Sequence, residues 1–214
     1  RGRPTSHVVF GDGLAILAGD GLLTEAFAIL GERQSRVAPA GPHASEARKL
    51  EAVLVVARAA GALGMVGGQA IDLHAAGKTP ASIDHPRELD ADGLRQMHLR
   101  KTGALMQAAV VAGAIVAGAE PDDTLALRQY GFDLGLAFQI VDDLLDVEGT
   151  ADALGKTAGK DAANNKPTYP SLFGIGPSRA LAAGCVERAL AALDGASLGG
   201  RLPDIARVVL ERRS

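Results

Sequence analysis

The chain has 214 residues, of which 47% are hydrophobic and only 3% aromatic. This length allows one large domain or two small ones, and a core of alanine, leucine, valine and isoleucine suits closely packed helices. The net charge of −3 gives no basis for nucleic-acid binding. The single cysteine, Cys185, excludes an internal disulfide and fits a reducing compartment, so we expect a cytoplasmic protein.

Two further segment types are not evident in the sequence. The longest apolar run, residues 108–119, is shorter than the roughly 20 residues that a membrane-spanning helix needs. No signal peptide is visible at the start. We therefore expect no stable membrane span.

The first part of the chain predicts two helices separated by a loop. Residues 8–30 are apolar at helical spacing, and residues 31–43 contain glycine, proline and charge that are typical of a loop. Ser45 is a suitable N-cap for a second helix. Four glycines then fall within residues 61–68, and each costs a helix about 1 kcal/mol relative to alanine. They predict either a break or very close helix packing, just before a small polar patch at Gln69 and Asp72.

The middle of the chain predicts an interrupted helix with a lysine at the interruption. Residues 76–93 are polar and contain proline, so a new helix is expected to begin near Asp92. Thr102 and Gly103 are poor residues inside a helix and predict a kink, after which residues 104–119 form a buried helix. Lys101 stands at this kink. It is either a functional cation or the last solvated residue before the buried segment.

An acidic stretch at residues 138–146 is the most informative part of the sequence. Asp142 and Asp146 are four residues apart and share one face of a helix, and Gln139 precedes them by one turn. With Asp143, three carboxylates lie within five positions, where they repel one another. A hard divalent cation such as Mg²⁺ would relieve this repulsion and also bind phosphate. The alternative is an acidic surface turn of helix.

A second Asp-Asp pair serves as a control for this interpretation. Asp122 and Asp123 directly follow Pro121, which suits a first helical position, and acids are favourable at a helix N-terminus. No carboxylate follows one turn later. We interpret this pair as helix-capping charges without a chemical role.

The last part of the chain predicts a charged loop and two packing helices. Residues 150–166 contain Lys156, Lys160 and Lys166 among small residues, which suits closure over phosphate but equally suits any exposed loop. Residues 177–193 and 203–212 have amphipathic patterns. No stretch alternates as a strand does, and no linker divides the chain. The sequence therefore predicts a single all-α domain over residues 1–214.

Several short segments carry a family resemblance, and they occur in the order in which that family has them. They are Arg1-Gly2-Arg3-Pro4-Thr5, Leu17-Ala18-Gly19-Asp20, Gly67-Gly68-Gln69 with Asp72, His98 with Lys101-Thr102-Gly103, Phe138-Gln139 with Asp142, Asp143 and Asp146, and Gly155-Lys156, Asp161 and Lys166 before Thr168-Tyr169-Pro170. The chain resembles the trans-isoprenyl diphosphate synthases, the polyprenyl synthetase family that includes farnesyl and geranylgeranyl diphosphate synthases. The resemblance implies the isoprenoid synthase fold, a bundle of long helices around a deep central cavity, and a homodimer.

The resemblance also implies a reaction and assigns roles to residues. The reaction joins an allylic diphosphate to isopentenyl diphosphate with Mg²⁺, or Mn²⁺ as an alternative, and yields an all-trans prenyl diphosphate of C15 or C20. The residues that match the family's functional positions are Asp142, Asp143 and Asp146 for the metal, Lys101, Thr102 and Gln139 for catalysis, and Arg1, Lys101, Lys156 and Lys166 for diphosphate. In the family a first aspartate-rich motif precedes the segment that matches Arg1, so we expect that an N-terminal part of the fold is missing.

Two other functions stay open at this point. Class I terpene cyclases and squalene or phytoene synthases also use aspartate-rich helices. A non-catalytic regulatory subunit could keep the fold and pair with an active partner. The segments 101–103 and 155–156 favour the chain-elongating enzymes, because they accompany isopentenyl diphosphate condensation in the family.

Overall fold

The computed structural model describes residues 3–32, 45–80, 88–152 and 167–212. These residues form ten α-helices and one π-helical turn, with no strand among them, so the all-α prediction is confirmed. The elements are α1 (Ser6–Phe10), α2 (Asp12–Gly31), α3 (Glu46–Ala60), α4 (Met65–Ala75), α5 (Ala91–His98), the π turn (Leu99–Gly103), α6 (Ala104–Ala117), α7 (Pro121–Asp152), α8 (Tyr169–Phe173), α9 (Ile175–Gly195) and α10 (Leu202–Glu211).

The first predicted helix is divided in two by a glycine. Gly11 has φ +80°, a conformation that favours glycine, and it separates α1 from α2. The next helix begins where the sequence predicts, because the Ser45 hydroxyl accepts a hydrogen bond from the Arg48 backbone N–H at 3.3 Å. Helix α2 contains no buried residue, although most of its residues are apolar.

The glycine-rich segment provides both a break and a close contact. Helix α3 ends at Ala60, and α4 begins at Met65 after a short turn. Within α4, a Cβ atom on Gly68 would lie 2.2 Å from the backbone nitrogen of Lys101. Only glycine allows α4 to approach the π turn this closely.

The kink predicted at Thr102 and Gly103 is the π-helical turn. The backbone N–H of Ala104 donates to the carbonyl oxygen of Leu99, which is the wider spacing of a π-helix. On its other side, a Cβ atom on Gly135 of α7 would lie 2.6 Å from Gly103 Cα. The π turn is thus packed between α4 and α7 by a glycine on each side.

The core is built around α7, which packs against α6 and α9. Helix α7 is longer than predicted, because it continues past Gly149 to Asp152. Its buried Tyr130 donates a hydrogen bond from the hydroxyl to the Leu202 carbonyl at 2.8 Å, which ties α10 to the core. Leu94, Met97 and Ile140 are almost completely buried in the same cluster.

A buried ion pair joins α7 to α9. Asp133 is 1% exposed, and its Oδ1 accepts from Arg188 Nε at 2.9 Å, with Arg188 Nη2 at 2.7 Å. Gln129 donates to the other carboxylate oxygen at 2.6 Å. Nothing in the sequence had singled out Asp133, because its partner lies 55 residues away.

By length and composition alone, three helical stretches of the described chain could cross a membrane: Asp12–Gly31, Glu46–Ala75 and Ala91–Ala117. The sequence-based expectation considered only uninterrupted apolar runs. Helix length therefore does not exclude a membrane-spanning helix, and the absence of one remains a prediction. The second stretch is broken between α3 and α4, and the third contains the π turn with Lys101. Only α2 is continuous.

Candidate functional site

The three acids of the acidic stretch do not share one environment. Asp142 is half exposed and Asp146 is exposed, and both lie on one face of α7 as their spacing predicts. Asp143 is 8% exposed and lies against α5 and α8. The structure therefore brings two of the three carboxylates to the open face and places the third in a separate, buried contact.

A buried polar layer forms around Asp143. Its Oδ2 accepts a hydrogen bond from the Tyr169 backbone N–H at 3.0 Å and lies 3.3 Å from His98 Nε2. The other ring nitrogen of His98, Nδ1, lies 2.9 Å from Gln139 Oε1. Asp143, His98 and Gln139 are each less than one-tenth exposed. A continuous row of contacts thus leads from a carboxylate, through an imidazole, to an amide.

Tyr169 closes this layer from one side. Its ring stacks on the His98 ring with centroids 5.7 Å apart and an interplanar angle of 22°. Burial raises the pKa of Tyr169 to about 12. The phenol therefore stays protonated at physiological pH. Tyr169 contributes its ring to the packing and its backbone N–H to the contact with Asp143.

Lys101 is held by an acid from a neighbouring helix. Its Nζ lies 2.5 Å from Oδ2 of Asp72, and the Lys101 side chain is 29% exposed whereas that of Asp72 is 10% exposed. Lys101 is therefore more than the last solvated residue before a buried helix, because a buried carboxylate fixes its position. Thr102, the next predicted site residue, is half-buried in the same π turn.

An arginine that the sequence did not indicate lies over the acidic face. Arg212, just after α10, has its Cζ 4.2 Å from the centroid of the Phe138 ring and its Nη2 3.5 Å from Asp142 Oδ1. The two residues of this ion pair are 70 positions apart, so no local pattern could have indicated the contact.

The donor set can be tested against the predicted divalent cation. Asp142 and Asp146 offer hard oxygen ligands one helical turn apart on an accessible face, which fits Mg²⁺ that keeps several waters. Within the described ranges, no three His, Cys, Asp or Glu residues lie close enough to hold one ion by themselves. The three-acid ligand set stays a prediction, and the two open acids fit it better than Asp143 does.

A cavity of about 750 Å³ lies beside this layer, between α5, α7, α8 and α9. Its lining includes Arg95, Ile140, Tyr169 and Cys185, and none of the residues predicted for catalysis or metal binding. Three predicted diphosphate ligands, Arg1, Lys156 and Lys166, lie outside the described residues.

A family model described as "Polyprenyl synthetase" matches residues 1–191. The chain belongs to the polyprenyl synthetase family. It is 41% identical over 200 residues to a farnesyl diphosphate synthase of Geobacillus stearothermophilus, covering 94% of this chain and 62% of that protein. It is also 41% identical over 189 residues to a geranylgeranyl diphosphate synthase of Cyanophora paradoxa, covering 88% of this chain and 58% of that one.

Solved structures of the polyprenyl synthetase family share the fold. An FPP/GFPP synthase from Zymomonas mobilis is 36% identical with a TM-score of 0.75, covering 99% of this chain and 64% of that one. A geranyltransferase from Helicobacter pylori, complexed with magnesium and isoprenyl diphosphate, is 26% identical with a TM-score of 0.73, covering 98% and 63%. The predicted isoprenoid synthase fold is confirmed. The chain spans less than two thirds of the length of these relatives.

Proposed function

We propose that this protein condenses an allylic diphosphate with isopentenyl diphosphate to form a longer all-trans prenyl diphosphate of C15 or C20. One observation carries the proposal. In a chain of the polyprenyl synthetase family, α7 presents two solvent-accessible carboxylates, Asp142 and Asp146. The same helix contacts the π turn, which carries Lys101, at Gly135. Acids for a metal and a cation for a phosphate thus lie on adjoining elements.

The reaction needs help at the leaving group more than a protein base. The C–O bond of the allylic diphosphate breaks, its electron pair leaves with the diphosphate, and an allylic cation remains. The double bond of isopentenyl diphosphate then forms the new C–C bond, and the resulting cation loses a proton to a diphosphate oxygen. Neutralising the charge that develops on the leaving group is therefore the main demand on the protein.

The residues around the π turn suit this demand. Lys101 supplies a positive charge whose position the buried Asp72 fixes, so little reorganisation is needed when the leaving group departs. Thr102 is a neutral dipole that can face the allylic cation without repelling it, and Gln139 adds a neutral amide to the same site. The apolar helix α6, which follows directly, helps to keep water from the cation.

Mg²⁺ is the metal that we propose, with Asp142 and Asp146 as its ligands from this chain and Mn²⁺ as a substitute. The Helicobacter pylori relative was solved with magnesium and isoprenyl diphosphate. When bound, the ion would supply the further positive charge that the leaving group needs. Arg212 lies 3.5 Å from Asp142 and so compensates one of these charges in the described structure.

The proposal is tested by incubating the native protein with Mg²⁺, isopentenyl diphosphate and dimethylallyl diphosphate, then measuring product chain length. We expect C15 or C20 products, and a loss of about 100-fold or more in kcat for Asp142→Asn or Asp146→Asn. Asp123→Asn, from the helix-capping pair, is the matched control and should keep its rate. A cyclic or head-to-head product would favour the cyclase or squalene synthase alternative, and no turnover without a second protein would favour a regulatory subunit.

We also propose a cytoplasmic homodimer formed through α2. This helix has no buried residue, and Leu14, Leu17 and Leu22 are each more than 60% exposed. Asp20 lies near its centre, where a charge would cost a membrane span about 2.5–3.5 kcal/mol, so a protein partner is favoured over a bilayer. Light scattering should give a dimer for the native protein and a monomer for Leu17→Arg. A monomeric native protein would contradict this.

A further inference from the structure

The row Asp143–His98–Gln139 connects a buried acid to a residue of the proposed site. Its contacts are 3.3 Å from Asp143 Oδ2 to His98 Nε2 and 2.9 Å from His98 Nδ1 to Gln139 Oε1. The His98 ring is 3% exposed and stacked on Tyr169, so it has little freedom to move. His98 comes from α5, whereas the other two residues are one turn apart on α7.

The environment of Asp143 differs from that of a metal ligand. Its Oδ2 already accepts from the Tyr169 N–H and faces His98, and the residue is 8% exposed. Asp142, its neighbour, is half exposed and lies 3.5 Å from Arg212. An ion on the open face could reach Asp142 and Asp146 without disturbing the buried layer.

We propose that His98 is a positioning residue that holds the side-chain amide of Gln139, and that Asp143 belongs to this buried layer and is not a metal ligand. The inference rests on the proposed function for its catalytic consequence. Asp143 Oδ2 faces His98 Nε2 at 3.3 Å without forming a hydrogen bond, the other ring nitrogen contacts Oε1 of the Gln139 amide, and the NH₂ end of that amide has no hydrogen-bond partner among the described residues. That second end is a hydrogen-bond donor and is the one left for an oxygen of the substrate.

The physical reason is the symmetry of an amide. Its two ends have the same shape and opposite polarity, so a half-turn about the last bond exchanges an acceptor for a donor pair. A hydrogen-bonded ring nitrogen removes this ambiguity. Without it, Gln139 would present the wrong end to the reacting groups part of the time, and small errors of placement cost rates up to about 100-fold.

The first test compares two conservative variants. The amide of His98→Asn occupies the position of Nδ1 and can still bond Gln139, whereas that of His98→Gln occupies the position of Nε2 and reaches only Asp143. In the native protein we expect His98→Asn to keep kcat within about threefold, and His98→Gln to lower kcat about 10- to 100-fold. The KM for isopentenyl diphosphate should stay within about threefold in both, because ground-state binding is not affected.

A double-mutant cycle separates positioning from a general loss of structure. In a Gln139→Ala background, His98→Gln should lower kcat by less than about twofold, because the group that it positions is gone. Multiplicative losses, or equal losses in His98→Asn and His98→Gln, would overturn the proposal.

The second test asks whether Asp143 binds metal, using magnesium and inorganic pyrophosphate in calorimetry. We expect Asp143→Asn, which keeps both acceptor contacts, to leave the Kd within about threefold, whereas Asp142→Asn should weaken it at least tenfold. Equal weakening in the two variants would show that Asp143 is a ligand and would overturn the inference, while the proposed function would stand.

A third readout does not depend on activity. In ¹⁵N-labelled protein, the side-chain NH₂ signals of Gln139, assigned by their absence in Gln139→Glu, should change in His98→Gln and stay in place in His98→Asn. Unchanged signals in both variants would overturn the positioning role. If the native protein neither turns over substrate nor binds pyrophosphate, the proposed function fails, and these signals still decide the inference.

Discussion

Two aspartates on α7, Asp133 and Asp143, are both buried and are compensated differently. Asp133 is paired through Nε and Nη2 with Arg188 and receives a further hydrogen bond from Gln129. Asp143 has a backbone N–H and a histidine ring nitrogen as its contacts, with no arginine or lysine beside it in the described residues. One carboxylate has a guanidinium beside it, and the other has a backbone N–H and an imidazole ring.

Asp133 has a structural role, whereas we propose a functional one for the buried layer that contains Asp143. A buried charge that is fully paired joins two helices and has no capacity left for a ligand. Asp143 has no arginine or lysine beside it among the described residues, and it lies in the row of polar groups that reaches Gln139. The same residue type on the same helix thus joins two helices at Asp133, and at Asp143 it lies in the buried layer beside the proposed site.

The largest expected effect is a loss of stability when the Asp133–Arg188 ion pair is broken. Arg188→Ala leaves a carboxylate that is 1% exposed without its charge partner, which should cost about 3–5 kcal/mol of unfolding free energy. Arg179→Ala is the matched control from the same helix, because Arg179 pairs with Glu148 at the surface, and it should cost no more than about 1 kcal/mol. Urea denaturation measures both. Equal costs would mean that Asp133 does not depend on its arginine.

In the proposed site, replacing Lys101 should change both the reaction rate and the stability. The sequence alone predicts that Lys101→Ala lowers the rate with little change in melting temperature. The structure predicts an added loss of about 1–3 kcal/mol, because the buried Asp72 loses its ion pair with Lys101. Asp72→Asn in the same chain should recover most of the stability and none of the rate. If the double variant regained its rate, Lys101 would act only in folding.

The smallest effect concerns the thiol beside the Asp133 pair. Cys185 is 2% exposed, and burial raises the pKa of its thiol. At a given pH, a smaller fraction of Cys185 is therefore thiolate than for an exposed cysteine. Alkylation by iodoacetamide at pH 8 should be at least about tenfold slower in the folded protein than in urea. Equal rates would show that the packing of α9 against α7 beside Asp133 opens readily, which would weaken its assignment as the rigid, structural part.

The sequence was informative wherever a local pattern determined the structure. Ser45 caps a helix, Thr102 and Gly103 mark the π turn, and the spacing of Asp142 and Asp146 places both on one open face. These outcomes depend on residues within a turn or two of one another, and the family resemblance, now confirmed, supplied the fold.

Contacts between distant parts of the chain could not be predicted in this way. The partners of Asp143, of Lys101 and of Asp142 come from other parts of the fold, at separations of 26 to 70 residues. The sequence therefore grouped Asp143 with its neighbours on α7, since spacing cannot show that α5 and α8 cover that side of the helix. The predicted roles of Arg1, Lys156 and Lys166 remain predictions.

The central claim is that the open acids of α7 bind a metal-bridged diphosphate, and calorimetry with inorganic pyrophosphate tests it most directly. The native protein should bind pyrophosphate only with Mg²⁺, and Asp142→Asn with Asp146→Asn should weaken binding about 100-fold or more. The matched double variant of the capping pair, Asp122→Asn with Asp123→Asn, should bind as the native protein does. Binding that does not need magnesium, or an equal loss in both double variants, would contradict the claim.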